Sequence, residues 1–282
     1  MTAWALFCHD FDRSKGINIL SEKCPVVLDH YMPTTIITEE QWQKLKPILL
    51  DLNIYDKPSL KETFLGIIYH LKTGCPWRYL PNCYGKANTV FKAFRRWSAS
   101  GLFYRLFKRL IKNADMEWVS IDATHIRAHQ SSAGAAGGDC QHIAKSVGGN
   151  SSKIHLAVDA HGNPIEFIVG DGVTHDIKIA PALLGLLDLK GTEFLNADKG
   201  YDSEAFRELI HSRGVHAIIP RKKNAKTSNG HMDWLIYQAR HVVENTFASL
   251  KHQRAISSRY DKLLNSYIGT VSLACGLIWL KL

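Results

Sequence analysis

The sequence predicts an α/β protein: a mixed sheet flanked by helices, preceded by an all-helical region. Three observations lead there. Apolar residues recur at helical spacing from Thr38 to Leu110. At Trp118 the apolar period shortens from about 3.6 to about 2. From that point the elements run strand, hairpin, helix, strand, helix, strand, helix, a layered α/β order with a mixed sheet and no internal repeat. The chain has 282 residues, 45% of them hydrophobic and 22% charged, which is a globular composition with length enough to bury a core unaided by disulfides or metal.

Residues 1–31 carry neither period, and the patterned chain is expected to start at Met32, just ahead of Pro33. Thr38 and Gln41 then stand in capping-box positions before Trp42, Leu45 and Leu49. Ser59 and Glu62 repeat that spacing before Leu60, Phe64, Ile67, Ile68 and Leu71, with Gly74 as the stop. A loop holding Pro76, Trp77 and Pro81 leads to a third helix from Asn88 to Ala99, with Val90, Phe94 and Trp97 inward. After Gly101 a fourth turns Leu102, Leu106 and Leu110 inward. The link before the third helix is 14 residues, so the unit is helix-turn-helix-like with a long connection.

Charge is concentrated in this region. The whole chain carries +9, and such a field attracts polyanions, nucleic acid first among them. Between Lys57 and Ala114 twelve Lys or Arg face one acid, Glu62. Arg105, Lys108, Arg109 and Lys112 form one stripe at helical spacing; Lys92, Arg95 and Arg96 form another. Two stripes so poor in acids favour contact with DNA phosphates over a merely solvated face.

The first strand reads WVSIDATHIR, from Trp118 to Arg127. The Gly- and Ser-rich stretch from Ser131 to Ser152 is expected to be mobile, and it lacks the Gly before Lys145 that a phosphate loop needs. IHLAVDA and PIEFIVG form a hairpin around Asp159–Asn163. A helix over Ile177–Leu187, the strand GTEFLNAD, a helix over Ser203–Ser212, the short strand HAIIP and one long helix from Trp234 to Lys251 follow. Leu263 to Leu280 holds no charge, but Asn265, Ser266, Tyr267, Thr270 and Ser272 temper it, so a buried helix is favoured over a membrane span. The run Trp4–Cys8 is too short for a signal peptide. Six cysteines without a C-x-x-C pair exclude a zinc knuckle and point to a reducing cytoplasm.

Three carboxylates stand out by position: Asp122 within the first strand, Asp198 at the end of a later one, and Glu244 on the last long helix. A strand acid among apolar neighbours is costly to ionise unless it is paired or bound to metal. On an ideal helix Tyr237, Arg240, Glu244 and Lys251 fall within an arc of about 60°, with Leu235, Ala239, Val242, Val243 and Leu250 opposite. One face would pack while the other presents a lone acid among phosphate-binding groups. Weaker signals are His175-Asp176, too short to mark a phosphohydrolase; His125 and His129, too strand-like for a zinc pair; Lys199 beside Asp198; and the basic loop Arg221, Lys222, Lys223 and Lys226.

The spacing Tyr237, Arg240, Glu244, Lys251 resembles the Tyr-Arg-Glu-Lys signature of DDE transposases from bacterial insertion sequences, in the group comprising insertion-sequence families four and five, here family five. IDATHIRAH and NADKGYDS resemble the segments around that family's two Asp residues. SSKIHLAVDAHGNP, VTHD, the tail RYDKLLNSYIGTVSLACGLIWL and the opening ITEEQWQKLKPIL are also similar, so the resemblance runs from Met32 to the end. It implies a ribonuclease H-like catalytic domain over 115–282 after a helical DNA-binding domain over 32–114. It implies that Asp122, Asp198 and Glu244 hold two Mg2+ ions, for which Mn2+ could substitute, while Tyr237, Arg240 and Lys251 contact DNA. Asp198 and Glu244 are 46 residues apart, too few for the large β-rich insertion some members carry. The implied activity is binding of terminal inverted repeats, then cleavage and strand transfer of double-stranded DNA by a homodimer, with no membrane involved. A nuclease that cuts without joining, and a self-repressor with an inactive core, are the alternatives; the intact acid triad argues against the second.

Overall fold

The computed structural model describes residues 37–134, 140–222, 228–230 and 232–280. The expected extension over 1–31 and the start at Met32 lie outside the described residues.

Four helices open the chain: α1 (Glu39–Asp51), α2 (Leu60–Thr73), α3 (Ala87–Ala99) and α4 (Leu102–Leu110). Every apolar residue expected to face inward on them is buried, and Phe103 and Phe107 join those on α4. The capping box at α1 is complete: the Gln41 amide donates to Thr38 Oγ1 at 3.1 Å, and the Thr38 amide to Gln41 Oε1 at 2.9 Å. The second box is absent. Ser59 has near-helical backbone angles (φ −91°, ψ 16°) and its hydroxyl caps nothing, because α2 is entered through a turn in which the Leu60 amide bonds Lys57 O at 2.9 Å. The long link between α2 and α3 is packed: Trp77 stacks on His70 at 3.8 Å and lies 5.1 Å from Phe94. Burial lowers His70 to about 4 and keeps it neutral in that stack.

The sheet comprises β1 (Trp118–Ala128), β2 (Ala144–Ser146), β3 (Gly149–Val158), β4 (Pro164–Asp171), β5 (Phe194–Asn196), β6 (His216–Ile218) and β7 (Ser258–Arg259). Its main order is β4-β3-β1-β5-β6, with the first three antiparallel and the last three parallel. This is the ribonuclease H-like arrangement. Strand β2 folds back on β3, and β7 runs parallel to the far end of β1. The remaining helices are α5 (Asp176–Gly185), α6 (Glu204–His211), α7 (Trp234–Gln238), α8 (His241–His252), α9 (Arg254–Ser257) and α10 (Leu264–Leu280). α8 meets the Thr124 face of the sheet through Lys251, and α5 meets the opposite face through Asp176 and Lys153.

Two further expectations need correction. Within the stretch expected to be mobile, β2 and the start of β3 form a hairpin; 135–139 lie outside the described residues. Its serines supply the bonds that loose backbone would lack: Ser152 Oγ donates to His142 O at 2.6 Å and Ser146 Oγ to Gly149 O at 2.9 Å. The helix expected from Trp234 to Lys251 is broken into α7 and α8. Across Ala239-Arg240 the bonds tighten to the i+3 pattern, Arg240 N to Tyr237 O and Val243 N to Arg240 O. The break rotates Leu235 out of the packed face, and it is 79% exposed.

α10 is the uncharged segment, and it is buried along its length, as expected of a packed helix. None of the described helices is long and apolar enough to cross a membrane. It packs on α3 and α4 and also touches α2, α8, α9 and β4. Gly269 permits the close approach: a Cβ there would sit 2.5 Å from Ser98 Oγ and 3.1 Å from Phe103. Beside this seam the buried Glu166 of β4 accepts the Tyr104 hydroxyl at 2.6 Å, the Phe167 amide at 2.9 Å and Lys108 Nζ at 3.2 Å. At the far edge the fully buried Arg259 donates to Ser152 Oγ at 2.7 Å and Asp261 O at 3.1 Å, its guanidinium 4.7 Å from the Tyr267 ring. Burial lowers Arg259 and pushes the Asp261 carboxyl up to about 6.

Two stability predictions come from this packing. Gly269→Ala should cost about 1–3 kcal/mol by overpacking despite alanine's better helix propensity. Gly185→Ala, with open space around it, should be neutral or slightly stabilising; equal denaturation midpoints for the two would refute the close-approach argument. Asp261 holds its proton to about 6 in the fold against 3.8 unfolded, so its contribution is full below about pH 4 and is lost as pH rises through 6. Asp261→Asn should therefore gain on wild type between pH 4 and 6 and run parallel to it above; a pH-independent difference in urea unfolding would refute this.

Candidate active site

Asp122 lies mid-way along β1, opposite Leu156 of β3. Its side chain is 19% exposed. Burial pushes its carboxyl up to about 6; the Ala123 amide and the Arg240 guanidinium pull it down, and the charges of Asp198 and Glu244 push it up again. The three acids thus share one electrostatic field. The strand pairing brings Asp198 level with Asp122. β5 runs parallel to β1 with Asn196 beside Ser120, so two residues further along each strand come Asp198 and Asp122. Asp198 caps a 3₁₀ turn, accepting the Gly200 amide at 2.7 Å, and a Cβ at Gly200 would lie 2.8 Å from that same oxygen.

Glu244 comes from the first turn of α8. Arg240, at the α7–α8 break, reaches both other partners: its Nη1 donates to Asp122 Oδ2 at 3.0 Å and its Nη2 to Glu244 Oε1 at 2.5 Å. The two carboxylates raise the Arg240 pKa against the pull of burial. Lys251, two turns along α8, donates to Thr124 Oγ1 at 2.6 Å, two residues beyond Asp122 on the same face of β1. The Tyr237 ring lies 5.9 Å from the Arg240 guanidinium and 5.8 Å from Trp234, edge-on. The structure therefore brings Asp122, Arg240, Glu244 and Lys251 together, with Tyr237 alongside, although the helix expected to align them is broken.

Carboxylate oxygens suit a hard divalent cation. Asp122 and Glu244 already converge on one cation, the guanidinium. Among the described residues no three His, Cys, Asp or Glu side chains are gathered as a ready ligand shell, and Arg240 stands between two of the three acids. The donor set fits a metal, provided Arg240 yields.

Sequence reasoning missed two neighbours. Thr124 was hidden because its partner Lys251 is 127 residues away. Tyr201 is buried, its hydroxyl held above its usual range by burial and by the charges of Asp122, Asp176 and Asp198. The KGYDS run around it was the available signal. The weaker motifs are structural: Asp176 pairs with Lys153 at 2.9 Å, and His129 stacks on Tyr260 at 4.4 Å. In the basic loop, Arg221 binds Glu204 at 3.0 Å; Lys223 and Lys226 lie outside the described residues.

The basic stripes divide. Lys92, Arg96 and Arg105 line one groove of about 860 Å³ together with Lys57. Lys112 is exposed, and Arg95 lies exposed over the Phe91 ring. Arg109 pairs with Asp51 at 2.9 Å, and Lys108 is committed to Glu166.

Residues 37–107 match the family described as "Putative transposase of IS4/5 family", and residues 113–278 match "Transposase DDE domain". The chain is 36% identical over 132 residues to the "Putative transposase for insertion sequence element IS6501" of Brucella ovis, covering 99% of that protein and 46% of this chain. It is 28% identical over 137 residues to the "Putative transposase for insertion sequence element IS402" of Burkholderia cepacia, covering 62% of that protein and 45% of this chain. Among solved structures it is similar to the piggyBac transposase synaptic complex with hairpin DNA, at 10% identity and a TM-score of 0.49, over 85% of this chain and 71% of that one. With the catalytic-domain family matched over more than half of its length, the chain belongs to the DDE transposases of insertion sequences.

Proposed function

We propose that this transposase binds the terminal inverted repeats of its element and there cuts and joins DNA, using Mg2+ held by Asp122, Asp198 and Glu244. The observation that supports the reading is the meeting of Asp122 and Glu244 on Arg240, with Asp198 level with Asp122 on the neighbouring strand. DDE transposase domains generally use divalent metal ions. Asp122, Asp198 and Glu244 are the residues that would hold the ions. When bound, such a pair polarises the attacking and leaving oxygens of an in-line displacement.

The chain's own groups do the rest. Lys251, braced by Thr124, and Arg240 grip phosphates flanking the scissile bond, and Tyr237 packs beside them. Water attacks first and nicks the DNA at the element's end. The freed 3′-hydroxyl then attacks a target phosphate, one phosphodiester bond forming as another breaks. We assign end recognition to the helical region over 32–114 and chemistry to 115–282. The groove of Lys57, Lys92, Arg96 and Arg105 tracks the phosphate backbone, and Arg95, Lys108, Arg109 and Lys112 add to the positive charge of the same helices. Joining two ends needs two active sites, so the working form is a homodimer on double-stranded DNA in the cytoplasm.

Glu244→Gln should reduce Mg2+-dependent cleavage of a labelled duplex carrying the element's end by about 100-fold or more, with DNA binding retained. Equal cutting by variant and wild type would remove Glu244 from the triad. The groove has its own test. Log K for duplex DNA should fall with log[salt], and Lys92→Ala with Arg96→Ala should lower that slope by about 0.9 for each phosphate no longer neutralised. An unchanged slope in the double variant would place the phosphate-binding groups elsewhere.

A further inference from the structure

We propose that Arg240 is a cation-operated switch: its guanidinium ties Asp122 to Glu244 until a divalent ion displaces it, and the displaced guanidinium then takes a DNA phosphate. The inference rests on the reading of Asp122 and Glu244 as metal ligands and goes beyond it, because it makes metal loading the event that readies the protein for its substrate.

Three observations carry it. First, the two arms of one guanidinium occupy Asp122 Oδ2 at 3.0 Å and Glu244 Oε1 at 2.5 Å, one oxygen from each of two acids on different elements. A divalent ion and a guanidinium repel each other and compete for those same oxygens, so binding one weakens the hold of the other. Second, Arg240 lies at a junction of elements. It stands at the break between α7 and α8, not within either helix, and its side chain is 19% exposed. The Tyr237 ring lies 5.9 Å from its guanidinium, a cation–π surface to move across. Third, the neighbouring cation behaves differently. Lys251 is bound to the neutral Thr124 hydroxyl, so it can meet a phosphate without first releasing an acid.

The exchange is reciprocal: if metal frees Arg240 for DNA, DNA tightens metal by the same factor. Full-length protein would be titrated with Mn2+ without DNA, read by electron paramagnetic resonance, for wild type, Arg240→Ala, Arg240→Gln and Asp122→Asn. Duplex affinity would be measured for the same proteins with and without Mn2+. Removing the guanidinium should tighten Mn2+ binding at least about fivefold, the lower end of ordinary coupling. Wild type should gain duplex affinity when Mn2+ is added, and both Arg240 variants should lose that gain. Arg240→Gln keeps most of the side-chain stem and repeats the test should the alanine variant fold poorly. If Asp122→Asn weakens Mn2+ but both Arg240 variants bind it as wild type does, the switch is overturned and the metal reading stands. If Asp122→Asn leaves Mn2+ affinity unchanged, the metal reading falls and the switch with it.

Discussion

The fold depends on covering one helix. α10 runs 17 residues without a charge and is buried on nearly every side. No single layer can do that. α3 and α4 cover part of it, and α8, α9 and β4 cover the rest. The helical region and the sheet are therefore parts of one packed body, with a core continuous from Trp42 to Leu280. The seam is tightened by a glycine under Phe103 and sealed by Glu166, whose buried charge is met by Tyr104 and Lys108 of α4. Lys108, a member of the expected DNA-contact stripe, makes one of those bonds from the surface.

Within this packed body the buried strand acid is the costly part. Asp122 sits in the middle strand of five, where desolvation opposes its charge. The charges of Asp198 and Glu244 deepen the penalty, and Arg240 relieves it from the one place where α7 and α8 part. The helix break is thus the local cost of delivering a cation to the strand. An unbroken helix would align the four signature residues on one face, but it is the break that carries Arg240 across to Asp122.

Much of this was legible in the sequence, and what was not shares a cause. The helices from Thr38 to Leu110 declare themselves because each buries a single stripe. Asp122 and Asp198 declare themselves because acids on apolar strands are rare. Glu244 was legible through its company. What was hidden depends on distant partners. No glycine or proline marks the α7–α8 break, which shows only once Arg240 meets an acid 118 residues earlier. Lys108 reads as surface until Glu166 is placed beside it. The serines of the 131–152 stretch read as loop because their acceptors belong to a hairpin that exists only when paired. The box at Ser59 failed for a local reason: the preceding turn had already bent the chain into the helix.

The placement of α10 has a consequence for synthesis. α4 ends at Leu110 and α10 begins at Leu264, so about 150 residues separate them; at ~5–20 residues per second, the seat for α10 on α3 and α4 stays bare for roughly 8–30 s on the ribosome. During that interval Phe103 and Phe107 offer an apolar surface to any chaperone, or to a neighbouring nascent chain that has already made its own α10. Crowded translation of one message would then favour exchanged helices, and sparse translation would favour each chain closing on itself.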